Sequence, residues 1–182
     1  RLIAYSSEAH PGRFWWTPTN RPYYFPGWDD DGGGNWADTG QEFEEILFAT
    51  QRRGMLLLYK ERSIWRLVGD PDQADPQLLT EKYSPVGSSA VTSSDAADFF
   101  VGQEGVFASN GDTVDEISRD IAPIFRNEYV EVGGTDYNIP PMDDTHRDAC
   151  VLEYSGGKLY LSYPEAGQSV PNIVLVLDVA TG

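Results

Sequence analysis

Hydrophobic residues along this chain recur in short blocks that end at Gly, Pro, Asn or Asp, a pattern of strands and turns rather than of helices. The clearest block, residues 54–70, reads as two strands joined by a polar Lys-Glu-Arg-Ser connection. Its first strand, residues 55–59, is apolar at every position, so both of its faces need cover. The sequence therefore predicts an all-β fold.

Three further hairpins follow the same pattern. In one of them Asn110-Gly111 is a strong turn signal, and in another residues 173–177 are again apolar on both faces. The hairpins are predicted at residues 2–6 with 13–17, at residues 98–112, and at residues 158–163 with 172–178.

The predicted hairpins recur along the chain with a loose repeat. Their strand centres, Ile3, Leu57, Phe99 and Leu159, lie roughly 40 to 60 residues apart. Antiparallel hairpins that recur at such a period and are apolar on both faces are typical of β-propeller blades, in which each small sheet lies between its neighbours. We expect residues 1–182 to form one domain of β-propeller-like blades of antiparallel strands, a segment of a larger propeller.

One interval between hairpins also predicts a helix. Residues 118–126 have the composition of a single short helix that begins after Ser118 as its N-cap. Pro123 limits the length of this helix, because proline lacks the N–H group that a longer helix needs.

The charge of the chain restricts its partners. Its 182 residues include 13 Lys and Arg against 29 Asp and Glu, a net charge of −16. Such a surface repels nucleic-acid phosphates and anionic lipid headgroups. The longest unbroken apolar run, residues 173–177, is far shorter than the roughly 20 residues of a membrane-spanning helix. We expect neither specific nucleic-acid binding nor membrane insertion.

No motif in the chain predicts an enzyme or a cofactor. Cys150, the only cysteine, begins an apolar run and is expected to be a buried, unreactive thiol. Asp143, Asp144 and His146 have the residue types of acid–base catalysis but no nucleophile or sequence frame beside them. We predict no catalytic residue, no cofactor and no resident metal.

The acidic loop at residues 29–38 is the one candidate cation site. Clustered carboxylates in a Gly-rich loop suit calcium. Counted as an EF-hand loop from Asp29, however, the twelfth position is Gly40, where a bidentate glutamate is needed. The sequence leaves open whether this loop binds a cation or is only a solvated acidic run.

Aromatic residues crowd one stretch near the start of the chain. Tyr and Trp dominate interface hot spots and can stack on sugars, so this cluster is a candidate contact for a partner or a glycan. The alternative is a loop packed over its own core. The candidate contact residues are Trp15, Trp16, Tyr23, Tyr24 and Trp28.

Several short motifs follow one another in a fixed order along roughly residues 42–182, and they consist of turns and aromatic residues. The segments are residues 60–70 (KERSIWRLVGD), 87–89, 100–107 (FVGQEGVF), 110–111, 117–121, 161–164, 172–178 and 181–182. In this order they resemble the propeller region of tail nozzle, or tail tubular, proteins of short-tailed bacteriophages.

This resemblance implies a structural protein of the virion tail. Copies of the chain would form a ring that conducts the genome during ejection and holds other tail proteins and fibres, with no catalytic residue. The net charge of −16 agrees with this role, because an acidic wall lets DNA pass without binding its phosphates.

Two other functions fit the same pattern. One is a glycan-binding or glycan-hydrolysing propeller of a tail-associated or secreted protein, with the aromatic cluster as its sugar platform. The other is a cellular scaffold propeller that binds peptides.

Overall fold

The computed structural model describes residues 1–19, 21–25, 35–40, 43–131 and 138–179. These residues form small antiparallel sheets joined by turns and short helices, which confirms the predicted all-β class. The chain divides into two compact units, unit 1 (residues 1–82) and unit 2 (residues 83–182). That the whole chain is one domain stays a prediction.

In unit 1, the part of the chain that the structure describes forms two antiparallel meanders. The first consists, in spatial order, of β1 (Ile3–Tyr5), β2 (Arg13–Trp16) and β3 (Trp36–Asp38). The second consists of β4 (Ile46–Arg52), β5 (Met55–Lys60), β6 (Ile64–Val68) and β7 (Gln77–Thr80). The hairpins predicted at residues 54–70 and at residues 2–6 with 13–17 are therefore confirmed.

Side chains from both sheets of unit 1 share one core. Phe14 and Trp16 of β2 pack with Ile46, Leu58 and Leu67 of the four-stranded sheet. Every residue of β5 is buried or half-buried. The prediction that both apolar faces of this strand need cover is confirmed.

The described residues of unit 2 form two larger sheets and one small one. The four-stranded sheet consists of β8 (Val91–Ser93), β9 (Asp98–Val101), β10 (Val106–Ser109) and β11 (Val114–Glu116). A two-stranded ribbon pairs β12 (Val130–Glu131) with β13 (Asn138–Ile139). The three-stranded sheet consists of β14 (Val151–Ser155), β15 (Lys158–Tyr163) and β16 (Ile173–Asp178).

The two larger sheets of unit 2 share a core. Phe99 of β9 stacks on Tyr154 of β14 with ring centroids 5.7 Å apart. Val101, Leu159 and Leu161 are fully buried in the same cluster. The hairpins predicted at residues 98–112 and at residues 158–163 with 172–178 are confirmed.

The outer face of the β14–β16 sheet differs from the prediction. Cross-strand register places Val151, Tyr160, Val174 and Val176 on the face opposite to the core. These side chains are 42%, 38%, 60% and 54% exposed, respectively. The apolar pattern of residues 173–177 predicts two covered faces, whereas in the described residues only the inner face is packed.

The predicted helix forms as a 3₁₀ helix, Arg119–Arg126, with Pro123 inside it. Ser118 stands at its N-cap position but makes no capping hydrogen bond, so that part of the prediction is wrong. Its hydroxyl instead accepts a hydrogen bond from the N–H of Val106 (2.7 Å). Two shorter 3₁₀ helices are Ser88–Ala90 and Arg147–Ala149. Among the described residues, no helix has the length and hydropathy needed to cross a bilayer.

The two four-stranded sheets are meanders, and that they are blades of a propeller stays a prediction. In each of them the strands are neighbours in chain order and antiparallel, as in the four-stranded blades of propellers. The arrangement of such sheets around a central axis stays a prediction.

Candidate functional site

The aromatic residues proposed as a contact surface have different environments. Trp15 and Trp16 belong to β2 and are only 1% and 6% exposed, so neither ring is a free platform. Tyr23 and Tyr24 are exposed, at 93% and 55%. Trp28 lies outside the described residues. The predicted cluster is therefore divided between buried indoles and exposed phenols.

A polar groove in unit 1 is the strongest candidate site. Its volume is about 570 Å³, within the range of roughly 300 to 1,000 Å³ that is usual for small-ligand sites. Indole, carboxylate and amide groups line it. They belong to Trp16, Asn35, Trp36, Asp72, Gln73 and Asp75.

A turn between β6 and β7 builds one wall of this groove. The sequence Asp70-Pro71-Asp72-Gln73 has Asp at the first and Pro at the second position, as type I turns prefer. The N–H of Gln73 donates to the carbonyl of Asp70 (2.9 Å). The N–H of Asp72 donates to the Asp70 carboxylate (3.0 Å). The turn thus fixes the backbone from which Asp72 projects.

The carboxylate of Asp72 is held by two donors. Trp16 Nε1 donates to Asp72 Oδ1 (2.7 Å) and Arg1 Nη2 donates to Oδ2 (2.7 Å). Arg1 also lies 2.9 Å from the Asp70 carboxylate. The hydrogen bonds from Arg1 and from Trp16 lower the pKa of Asp72 to about 2. Asp72 is therefore an oriented anion at neutral pH, and its side chain is still 47% exposed.

A second part of the groove's lining comes from β3, which contributes Trp36 and Ala37. The guanidinium of Arg13 lies 3.7 Å from the ring centroid of Trp36 and donates through Nε to Asp38 Oδ1 (2.7 Å). This cation–π contact fixes the indole against the sheet. Asp38, the last acid of the predicted cation loop, is paired with Arg13, whereas Asp29 and its neighbours lie outside the described residues.

A second polar cluster in unit 1 is internal. Lys60 is fully buried and donates through Nζ to the carbonyl of Thr39 (2.7 Å), with Glu44 Oε2 at 3.4 Å. Ser63 Oγ donates to the same Glu44 oxygen (3.0 Å). Burial lowers the pKa of Lys60, against the opposing attraction of Glu44. The pair is closed to solvent and is a structural feature of the core.

Asp143 and His146 lie in one turn of unit 2, where the side chain of Asp143 is 13% exposed and that of His146 is 46% exposed. Asp143 Oδ1 accepts hydrogen bonds from Thr145 Oγ1 (2.6 Å) and from the N–H of His146 (3.1 Å), and lies 2.9 Å from His146 Nδ1. Asp143 Oδ2 accepts from the N–H of Gly167 (2.8 Å). These hydrogen bonds, led by the one from Thr145, hold the pKa of Asp143 well below its usual range. The carboxylate organises two loops, which is a structural role.

Cys150 is fully buried. Its Sγ lies 3.6 Å from the sulfur of Met142. Burial raises the pKa of the thiol to about 12. The predicted unreactive thiol agrees with this environment, because nucleophilic cysteines need a thiolate.

Sequence reasoning missed Asp72 and Asp75, the acids of the groove. Their only local signal is the Asp-Pro-Asp turn, which is common in loops. Both donors to Asp72 are distant in the chain: Trp16 lies 56 positions earlier and Arg1 lies 71 positions earlier. Among the described residues, no three His, Cys, Asp or Glu side chains are grouped as metal ligands.

Comparisons with known proteins assign this chain to no family. No protein-family model matches it, and no curated protein resembles it at a significant level.

Proposed function

We propose that this protein is a structural component of the tail of a short-tailed bacteriophage, part of an oligomeric conduit for the genome to which fibres attach. The observation that carries the proposal is the order of the resembling segments. Residues 60–70, 100–107 and 172–178 include β6, the turn of the β9–β10 hairpin and β16, respectively. The motifs therefore coincide with strands and turns of the sheets.

The net charge supports the conduit role. At −16 the chain repels DNA phosphates. We expect no change in the fluorescence anisotropy of a labelled duplex DNA at physiological salt. Tight, salt-sensitive DNA binding would contradict a wall along which DNA passes.

The outer face of the β14–β16 sheet is the surface that we assign to self-association. Val151, Tyr160, Val174 and Val176 form an exposed apolar patch on a sheet, and such patches mark interaction surfaces. In a ring of copies, this face would pack against a sheet of the adjacent copy.

Negative-stain imaging and mass photometry of the purified protein test the proposal. We expect rings, and we expect Val176→Lys to disperse them while circular dichroism stays unchanged. Val170→Lys is the matched control, because Val170 is 68% exposed but lies in the loop before β16. A protein that stays monomeric at all concentrations, or rings that survive Val176→Lys, would contradict the proposed assembly.

The groove in unit 1 favours the alternative function, a glycan-binding propeller of a tail-associated or secreted protein. Its carboxylate and amide groups can form hydrogen bonds with the hydroxyl groups of a sugar. Ring formation together with flanking portal or tail genes would support the structural role. Sugar turnover without assembly would support a glycan-hydrolysing protein.

A further inference from the structure

We infer that the groove beside Asp72 in unit 1 binds a neutral saccharide. This inference does not rest on the proposed tail function, because it uses only side chains of one unit. The groove combines a volume of about 570 Å³ with carboxylate, amide and indole groups that converge on it. The volume lies in the range of small-ligand sites, and the polar lining suits a ligand that forms several hydrogen bonds.

The first step of the argument is that Asp72 is positioned before any ligand arrives. Trp16 is 6% exposed and its indole N–H points at Asp72 Oδ1 (2.7 Å). Arg1 holds the other oxygen at 2.7 Å. Each carboxylate oxygen can accept more than one hydrogen bond. A half-exposed carboxylate in this state offers fixed acceptor positions to a hydroxyl donor at little cost in side-chain entropy.

The second step concerns the other polar groups. Asp75 and Gln73 are exposed, and Asn35, which also lines the groove, is half-buried. Carboxylates accept hydrogen bonds, whereas amides both donate and accept. A ligand with several hydroxyl groups, each able to donate and to accept, matches this set.

The third step excludes acidic sugars as ligands of the groove. Asp70, Asp72 and Asp75 outnumber Arg1 at the groove and its turn. An acidic sugar or a phosphate would meet like charge, which disfavours binding. The electrostatics therefore select a neutral saccharide over an anionic one.

Isothermal titration calorimetry with neutral hexasaccharides tests the inference. The probes are cellohexaose, maltohexaose and chitohexaose, and we expect saturable binding of at least one. Asp75→Asn and Asp72→Asn should each weaken that binding about tenfold or more, the effect of losing a hydrogen bond to a charged group. Glu81→Gln is the matched control, because it removes an exposed acid of unit 1 that does not line the groove.

The variant Trp16→Phe tests whether Trp16 positions the Asp72 carboxylate or only packs in the core. Phenylalanine keeps an aromatic ring in the core but cannot donate to Asp72. We expect weaker saccharide binding together with a higher pKa of Asp72, measured by the carboxyl carbon shift in NMR. Weaker binding with an unchanged Asp72 pKa would contradict the positioning role.

Three results would overturn the saccharide site. One is the absence of saturable binding to all three hexasaccharides. Another is binding that Asp72→Asn, Asp75→Asn and Glu81→Gln leave equally unchanged. The third is tight binding of hexalysine that displaces any bound sugar and disappears at high salt, which would identify a site for basic peptides.

Discussion

The two larger sheets of unit 2 begin from similar sequence patterns and have different environments. In the β9–β10 hairpin the apolar residues Phe99, Phe100 and Val101 are all buried, on both faces of the sheet. In β16 the residues of one face pack into the core, while Val174 and Val176 on the other are 60% and 54% exposed. The apolar run defines a strand in both cases, but it does not specify what covers the second face.

This difference distinguishes strands whose side chains all stabilise the core from strands that also present side chains to a partner. A strand that is buried on both faces contributes to the core with every side chain. A strand that is covered on one face contributes with alternate side chains only, and its outer residues are available for a partner. Variants at paired positions of the two sheets test this interpretation.

The largest expected effect is that of a buried charge. Phe100→Asp places an unpaired carboxylate at a position that is fully buried. We expect a loss of about 3 to 5 kcal/mol, enough to unfold a protein of ordinary stability. Val176→Asp at the half-exposed position of β16 should cost only about 1 kcal/mol, the loss of β-propensity and of the cross-strand contact with Tyr160. Urea unfolding measures both, and equal losses would contradict the comparison.

Two adjacent residues of β15 sharpen the contrast within one strand. Leu161 is fully buried, whereas Tyr160 on the opposite face is 38% exposed. Leu161→Ala should cost about 2 to 5 kcal/mol, because it leaves a cavity between the sheets. Tyr160→Ala should cost less than about 1 kcal/mol. A larger loss for Tyr160→Ala in thermal unfolding would show that the outer face is already packed.

A turn glycine in each of the two larger sheets of unit 2 extends the comparison, because the two glycines differ in burial. Gly111 follows β10, is buried and has a φ of 94°. Gly111→Val should destabilise by about 1 to 3 kcal/mol, because a β-branched residue is strained in that region. Gly156, in the exposed β14–β15 turn, has a φ of 58°. Gly156→Asn should be nearly neutral, since asparagine tolerates left-handed backbone. Urea midpoints that move equally would contradict this ranking.

The smallest expected effect on stability concerns Asp143, which accepts a hydrogen bond from Gly167 in the connection between β15 and β16. Hydrogen bonds from Thr145, Gly167 and His146 lower the pKa of Asp143 in the folded state, while the unfolded value is about 3.9. Its stabilising contribution is therefore present above about pH 4 and is lost as the pH falls towards the folded pKa.

We expect Asp143→Asn to be less stable than wild type at pH 7, with a smaller difference at pH 3, in urea unfolding. Asp120→Asn is the control, since Asp120 is an exposed acid at the start of the 3₁₀ helix. A difference that grows at pH 3 would contradict the assigned sign.

Much of the fold was predictable from the sequence, and the strands that were not predicted lie at the edges of sheets. The predicted hairpins supply every inner strand of the three- and four-stranded sheets and also the edge strands β1 and β16. The strands of these sheets that were not predicted all lie at edges, and they are β3, β4, β7, β8, β11 and β14. Edge strands are partly solvated and contain more polar residues, so their hydrophobic pattern is weak. The burial of β7 and β11 is correspondingly incomplete.

The candidate site was predictable only in part. Trp16 was singled out as an aromatic contact, yet its role depends on a hydrogen bond to Asp72, which is distant in sequence. Ser118 was predicted as a helix cap, but its hydroxyl bonds to Val106 of a neighbouring strand. Long-range hydrogen bonds of this kind leave no local signal.

The sequence by itself determined the strand character, the turns and the acidic charge, because each of these follows from neighbouring residues or from composition. Only the tertiary structure decided which apolar faces are covered, and that Trp15 is buried while Tyr23 is exposed. It also decided that Trp16 and Arg1 hold Asp72. The physical reason is that alternation along a strand distinguishes its two faces, whereas the cover of each face is supplied by residues far away in the chain.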